Sequence, residues 1–570
     1  MKISVAKTAG FCMGVRRAVD MVLDAANLAD EPIYTYGPLI HNPQVLEMLE
    51  DKEIHRLDTI PETGEGLVLI RAHGVPPSDE EALKKAGFTV MNATCPRVVR
   101  VQVIINRYAK QGYHTIIIGD AKHPEVVGLL GYSRDKGVTV TSMDQLTDLP
   151  EFENAVVVAQ TTQNTAFYEE VKAWCAEHRS HYKLFDTICG STERRQSEIR
   201  DLAETHDRVI VVGGKESGNT KRLAQVAKET GTPAVHIETV SEIDFSEYKD
   251  AKSIAITAGA STPNWIINDT CTRVDQNLSR QQPGKGRLAR IMELALNTNV
   301  MLALGAAFLT YACAAYQGLD RVFPHAALAM FYVFSMQVVN NIVTIKADTY
   351  NHPGRAGFLL KYRPWLMALA SVSGLGALTL AWGMGWGSFS ILLVMTLLGL
   401  TYNLNIIPLR KSGKKARGIK DIPGSKTIFV AGAWGMVTAV FPALGNGGSV
   451  LPLLFAFCFA AGLIFSRTAF LDIAAIQGDR IAGRETIPIL LGIEKSLRLV
   501  SLVLTVNIAL PLVACLLGVV SWPVLLLSAV PLYLFGLIRL FRKDKLRAGW
   551  QSEFLVEFTF LLSGVLAVLI

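Results

Sequence analysis

Three cysteines, Cys12, Cys95 and Cys189, sit in matching contexts: "GFCMG", "ATCPR" and "TICGS". Each closes a short strand-like run and is followed by glycine or proline and then a helical pattern. Three histidines repeat the theme. His41 in "IHNPQVLEML", His73 in "AHGVPPSDEEAL" and His123 in "KHPEVVGLL" each precede a proline that can open a helix at its first turn. Thiolates select soft metals and iron–sulfur clusters. A closed structural zinc site normally takes four ligands. Three thiols holding a cluster leave one iron without a protein ligand, free to act as a Lewis acid and to pass electrons. Any one of these cysteines taken alone reads equally well as a small buried hydrophobe. Cys175 and Cys271 lie outside the pattern and are read that way.

The neighbouring polar residues suit an anion. Ser217, Gly218 and Asn219 in "GGKESGNTKRL" and Ser261 in "GASTP" occupy strand-to-helix turns, where free backbone N–H groups face phosphates. The spacing is not that of a Walker A loop. A lone histidine at a strand end is usually a structural hydrogen-bonder; three beside this donor set point to a diphosphate pocket. Glu125 is the one carboxylate among these groups. It can relay protons if its surroundings raise its pKa, and it also suits a helix N-terminus.

The elements that must position these side chains are visible up to about residue 280, where β-branched runs alternate with helical patterns. In parallel α/β sheets, ligands bind beyond the carboxyl ends of strands. The candidate side chains fall there along the whole half-chain, Thr161 and Thr162 after "AVVVAQ" included. The loose threefold rhythm predicts three related α/β units whose strand ends face one centre.

Taken together, "GFCMGVRRAV", "IHNPQV", "RAHGVPP", "ATCPRV", "GDAKHPEVVG", "QTT", "DTIC", "ESGNTKRLA" and "TAGASTP" resemble the LytB (IspH) family of 4-hydroxy-3-methylbut-2-enyl diphosphate reductases. The resemblance covers residues 1–280 with every motif in order. It implies a pseudo-threefold domain around a central four-iron–four-sulfur cluster held by Cys12, Cys95 and Cys189. It further implies a pocket lined by His41, His73 and His123, with Ser217, Asn219 and Ser261 on the diphosphate. Thr161 would lie near the substrate hydroxyl, and Glu125 would deliver protons. Gly218 stands where the family often has a second serine, so one hydroxyl contact is lost while the backbone N–H remains. The implied reaction is reductive dehydroxylation to isopentenyl and dimethylallyl diphosphate, the last step of the non-mevalonate route. An external donor of ferredoxin or flavodoxin type is implied, since no flavin or nicotinamide motif is visible.

At 570 residues more than one domain is expected. The net charge of +6 comes without a dense basic stripe interleaved with aromatics, so no nucleic-acid partner is expected. No CxxC pair occurs among the eight cysteines, which argues against a disulfide framework or paired zinc ligands. No cleavable signal is expected from Met1 to Ala9, and the first half is expected to fold in the cytoplasm. The mean hydropathy of +0.29 hides a split. Residues 281–297 read as a linker, with "QQPG" as a joint and Arg287 to Leu296 as a basic amphipathic helix at a membrane surface. Residues 298–570 read as an all-α membrane domain with about nine spans. They fall near 298–318, 325–345, 365–386, 388–408, 427–445, 450–471, 499–520, 522–541 and 554–570. Alternate loops are basic, which places them and the first half on the cytoplasmic side.

Ionisable groups at helix ends in such a bundle are functional candidates. "NNIVTIKADTYNHPGRAG" and "SRTAFLDIAAIQGDRIAGRETIPILLG" resemble the two Asp-rich motifs of UbiA-type intramembrane prenyltransferases. "GLTYNLNIIPLRKSGKKARG" resembles the loop between that family's fourth and fifth spans. The resemblance implies magnesium and a polyprenyl diphosphate at Asn340, Asp348, Asp472 and Asp479, with Arg355, Lys411 and Arg480 as phosphate partners. The chain departs from the pattern at Thr344 and Ala475, where acidic residues are customary. A non-catalytic anchor or lipid-binding scaffold is the alternative for this half. A zinc or redox-sensing thiol protein is the alternative for the other.

Overall fold

A computed structural model describes the chain apart from residues 1, 29–30, 249, 280–284, 321, 405–407, 413–414, 419–423, 447–448, 485, 544 and 547–548. The chain divides into two units, Met1–Gln281 and Gln282–Ile570.

The first unit holds three parallel four-stranded sheets. Its strands are β1 (Lys2–Val5), β2 (Ile33–Tyr36), β3 (Ile54–Leu57), β4 (Leu67–Ile70), β5 (Thr89–Asn92), β6 (His114–Ile118), β7 (Gly137–Val140), β8 (Ala155–Ala159), β9 (Lys183–Leu184), β10 (Arg208–Val212), β11 (Ala234–Ile237) and β12 (Ser253–Ala258). The spatial orders are β1-β12-β10-β11, β3-β2-β4-β5 and β7-β6-β8-β9. Strands β4 and β8 are buried along their whole length, as "LVLI" and "AVVVA" require of strands covered on both faces. The edge strand β3 buries Ile54 and exposes His55 and Arg56. One pairing has no local signal: β1 lies beside β12, which joins the two ends of the unit in register Lys2↔Ser253 to Val5↔Ile256.

This topology assigns roles by strand position. The cysteines follow the edge strands β1, β5 and β9, one per sheet. The histidines, Glu125, Thr161 and the serines follow the inner strands β2, β4, β6, β8, β10 and β12. Because each sheet is parallel, all these residues leave from carboxyl ends.

Among the described residues the second unit is helical, with one antiparallel strand pair, Pro408–Ser412 and Lys415–Gly418. Seven described helices are long and apolar enough to cross a membrane: Val300–Gln317, Phe323–Val343, Gly354–Gly383, Ser425–Leu444, Val450–Ala474, Ile493–Leu516 and Trp522–Arg542. Two others complete the nine expected. Trp386–Tyr402 is apolar but shorter, and Trp550–Ala567 carries Glu553 and Glu557. Small residues let the helices approach closely. A side chain at Gly564 would overlap Phe308, and one at Gly305 would fall 2.8 Å from Phe560 Cβ. The expected amphipathic helix is Lys285–Asn297, and it exposes Leu288, Ile291 and Leu294 along one stripe. That stripe suits the apolar side of a bilayer interface.

Candidate active site

Each cysteine is held in the same way. The Cys12 N–H donates to Ala260 O (3.1 Å), the Cys95 N–H to Ala72 O (2.9 Å) and the Cys189 N–H to Thr161 O (2.8 Å). In every case the acceptor lies just past the neighbouring inner strand, β12, β4 or β8. Each cysteine then opens a helix: Met13–Leu28, Pro96–Ala109 or Gly190–Thr205. The thiols are half-buried and free of disulfides. Burial pushes the Cys95 thiol up, the Arg97 and Val98 amides pull it down, and the charges of Cys12 and Cys189 push it up again. Gly14, beside Cys12, leaves room for Cys95: a Cβ there would overlap the Cys95 Sγ and lie 2.9 Å from its Cβ. Cys175 is fully buried in the core under the third sheet, and Cys271 packs on the core of the first.

The three histidine rings form a cluster. Centroids are 5.2 Å apart for His41 and His73, 5.4 Å for His73 and His123, and 6.4 Å for His41 and His123. Burial disfavours their charged forms and neighbouring cations add to the effect. His41 is lowered by burial and by Arg71, and His73 falls well below its usual value. His123 falls to about 4, again mainly by burial. All three are therefore neutral at pH 7 and can donate one N–H each. The Glu125 N–H donates to His123 Nδ1 (3.1 Å), which assigns the proton of His123 to Nε2. His73 Nδ1 is buried with no protein partner, a polar atom that a ligand would satisfy.

Glu125 is 2 % exposed, and its carboxylate accepts from the Thr161 N–H (2.7 Å) and the Thr161 hydroxyl (2.8 Å). Burial raises its pKa, and the two Thr161 bonds oppose the rise. Thr161 O in turn accepts from the Cys189 N–H and from the Thr192 hydroxyl (3.4 Å). A chain of bonds thus runs from Glu125 through Thr161 to a cysteine. Thr192 was not legible in advance, because a threonine in the first turn of "GSTERRQ" looks like any other.

The anion donors converge from the first sheet. Ser217 caps the helix Gly218–Glu229, accepting from the Thr220 N–H (3.4 Å). The Ser261 hydroxyl lies 3.1 Å from His41 O and 3.5 Å from Ser217 Oγ. Gly218 is the first residue of that helix, with open space where a side chain would be. Asn219 follows it. Donors from one sheet therefore meet the backbone of a histidine from another at the N-terminus of a helix, where free backbone N–H groups can face an anion.

In the second unit the expected residues take other partners. Asp472 is paired with Lys426 Nζ (3.1 Å) and approached by the Thr427 hydroxyl (3.4 Å). Asp479 is paired with Arg484 (3.3 Å), which also donates to Thr344 O (3.1 Å). Arg355 is closed on Glu553 (2.6 Å), both side chains nearly inaccessible. Asp348 lies in the short helix Ile345–Asn351, its pKa raised by burial and lowered by the charges of Arg355, His352 and Arg484. Asn340 accepts the Thr344 N–H through its backbone, and Arg480 lies in the short helix Ile476–Ile481. The side chain of Lys411 lies outside the described ones. Among the described residues no three His, Cys, Asp or Glu side chains stand close enough to hold a single metal ion.

Two family descriptions match the chain. The LytB protein family matches residues 3–275, and the UbiA prenyltransferase family matches residues 300–562. The chain belongs to the LytB family and carries a UbiA-type domain behind it. Among its relatives is the 4-hydroxy-3-methylbut-2-enyl diphosphate reductase of Aquifex aeolicus. It is 39 % identical over 282 residues, spanning 48 % of this chain and 96 % of the relative. A solved reductase from Plasmodium falciparum is similar at 27 % identity, covering 50 % of this chain and 89 % of the other, with a TM-score of 0.46. A UbiA homologue from Aeropyrum pernix is similar at 14 % identity, covering 48 % of this chain and 99 % of the other, with a TM-score of 0.39.

Proposed function

We propose that residues 1–280 catalyse the reductive removal of the hydroxyl from 4-hydroxy-3-methylbut-2-enyl diphosphate, giving isopentenyl and dimethylallyl diphosphate. The observation that carries this reading is that each sheet sends one thiol from an edge strand, with Cys12 and Cys189 near enough for their charges to act on Cys95, and that the Glu125–Thr161–Cys189 chain ends at one of them. The residues fit a four-iron–four-sulfur cluster. Three thiols arrive on equivalent elements, Gly14 leaves one of them room, and a buried histidine nitrogen lacks a partner. Cys12, Cys95 and Cys189 would occupy separate corners of one cube, an arrangement wider than a single-ion site. When bound, such a cluster supplies electrons and a Lewis-acidic iron.

The chain's own groups do the rest. Ser217, Asn219, Ser261 and the backbone N–H of Gly218 hold the diphosphate, with neutral histidines donating N–H bonds. The Thr161 hydroxyl, fixed by Glu125, orients the substrate hydroxyl. Glu125, kept protonated more readily by burial, passes a proton through Thr161, so that the hydroxyl leaves as water. Two electrons from an external ferredoxin- or flavodoxin-type donor and a second proton complete the balance at carbon.

The protein is a membrane protein, and we place its reductase half on the cytoplasmic side, in line with the basic loops. The second half is read as a site for a polyprenyl diphosphate or another lipid with an anionic headgroup. Its residues do not fit a two-ion magnesium grip. Two of the three aspartates are already matched by Lys426 and Arg484, and Thr344 and Ala475 bring no carboxylate. No transfer step is derived there, and the scaffold reading is favoured by these closed pairs.

The test is anaerobic turnover of the hydroxymethylbutenyl diphosphate by the full chain in detergent, with reduced methyl viologen as electron source. Formation of the two five-carbon diphosphates is expected. Intact substrate recovered from protein of full cluster content would overturn the reading. Incubation with polyprenyl diphosphates and magnesium, followed by diphosphate release, separates transferase from scaffold.

A further inference from the structure

Helix Gly190–Thr205, which Cys189 opens, carries "TERRQSEIR" and reads in sequence as a solvated face. Arg194 is exposed, but Arg195 is only 4 % exposed. Its Nη2 donates to Gly10 O (2.6 Å), two residues before Cys12, and its Nη1 to Ala258 O (3.1 Å) at the end of β12. Its Nε is buried without a partner. Among the described residues it makes no ion pair.

One turn on, Glu198 reaches the same loop. It accepts from Lys7 N (2.6 Å), Thr8 N (2.9 Å) and the Thr8 hydroxyl (2.6 Å). The helix that starts at Cys189 thus grips the loop that presents Cys12 through two side chains. Glu198 uses its oxygens on those three donors. The ionisable groups near the guanidinium are Cys12, Glu198, Cys189 and Arg194.

A buried cation is costly unless an opposite charge faces it. Two carbonyl dipoles ease the cost without cancelling the charge. The negative groups within reach are the Glu198 carboxylate and the thiolates of Cys12 and Cys189. We propose that Arg195 is a positioning residue for the cluster: it fastens the Cys12 loop to the Cys189 helix, and its fixed charge favours the reduced, more negative state. This rests on the cluster reading above. Net charge and hydrogen bonding around a cluster set its reduction potential. A full charge ~10 Å away at an effective dielectric of ~20 shifts the reduced-to-oxidised ratio on the order of tenfold.

The experiment uses the full chain in detergent, purified anaerobically as wild type, Arg195→Lys, Arg195→Met and Glu198→Gln. Iron and sulfide are counted, and the cluster is titrated with dithionite and mediators, read by electron paramagnetic resonance. Arg195→Lys is expected to keep both iron and midpoint potential. Arg195→Met with iron retained is expected to show a lower potential, its reduced fraction falling about tenfold at a fixed poise. An unchanged potential in that variant overturns the proposal. Should Arg195→Met lose its iron, the fastening role is supported and Glu198→Gln decides the charge role. That variant is expected to move the potential upward, and an unmoved potential with iron intact overturns the proposal. A wild type without iron and sulfide would instead remove the cluster reading itself.

Discussion

Replacing Glu125 by glutamine changes one atom and tests proton delivery directly. The amide keeps the shape, and its oxygen can still accept the Thr161 N–H now bound at 2.7 Å. The Thr161 hydroxyl, which now donates to Glu125, can turn to accept from the new NH2 group. Geometry is thus preserved while the dissociable proton is lost. A positioned general acid is worth roughly 10²–10⁴-fold in rate. At 1.36 kcal/mol per decade this is about 3–5 kcal/mol of the barrier. Stability should not fall. Burial raises the Glu125 pKa above its usual 4.5, so its contribution to stability is present below pH 4.5 and is lost as pH rises through the raised value. The glutamine variant should therefore melt at or above the wild-type temperature at pH 7. The assay pairs anaerobic turnover with iron content and a melting curve. Wild-type turnover at equal iron content would refute the role of Glu125.

Gly218→Ser should fit without strain, because open space surrounds Gly218, and it should lower KM by up to about tenfold through one added hydrogen bond to a charged group. Gly14→Ala should displace Cys95 and cut the iron retained after anaerobic purification, since a Cβ there overlaps the Sγ. The pKa of His123 is lowered to about 4, so it weakens the fold as pH drops below the usual 6.5, because the unfolded chain takes the proton first. His123→Gln should flatten the melting-temperature profile between those values, by roughly 3 kcal/mol at the acid end. Lys426→Met should free Asp472, now paired at 3.1 Å, and strengthen manganese binding measured by electron paramagnetic resonance on the intact chain.

Much of the reductase half was legible because its chemistry sits at strand ends, and strand ends are marked by local signals. "LVLIRAH" and "ATCPR" announce both the strand and the turn that follows. The division of labour between edge and inner strands was hidden. It depends on β1 lying beside β12, a pairing across about 250 residues that no local pattern encodes. Arg195 and Glu198 were hidden for a related reason. A helix with arginines and glutamates looks solvated until the loop it covers is known. In the second half, hydropathy gave the helices. Which charge meets which depended on packing: Arg355 pairs with Glu553 across 198 positions, and Arg467 with Glu557 across 90. The first pairing turns Arg355, an expected phosphate partner, into internal neutralisation, which composition alone cannot reveal.

The most direct measurement is a count of iron and acid-labile sulfide on the intact chain purified without oxygen, with Cys95→Ser alongside. Close to four of each per chain, falling sharply in the variant, is the result expected of three thiols meeting at one cube. A colourless wild type that takes up neither iron nor sulfide on reconstitution would contradict it.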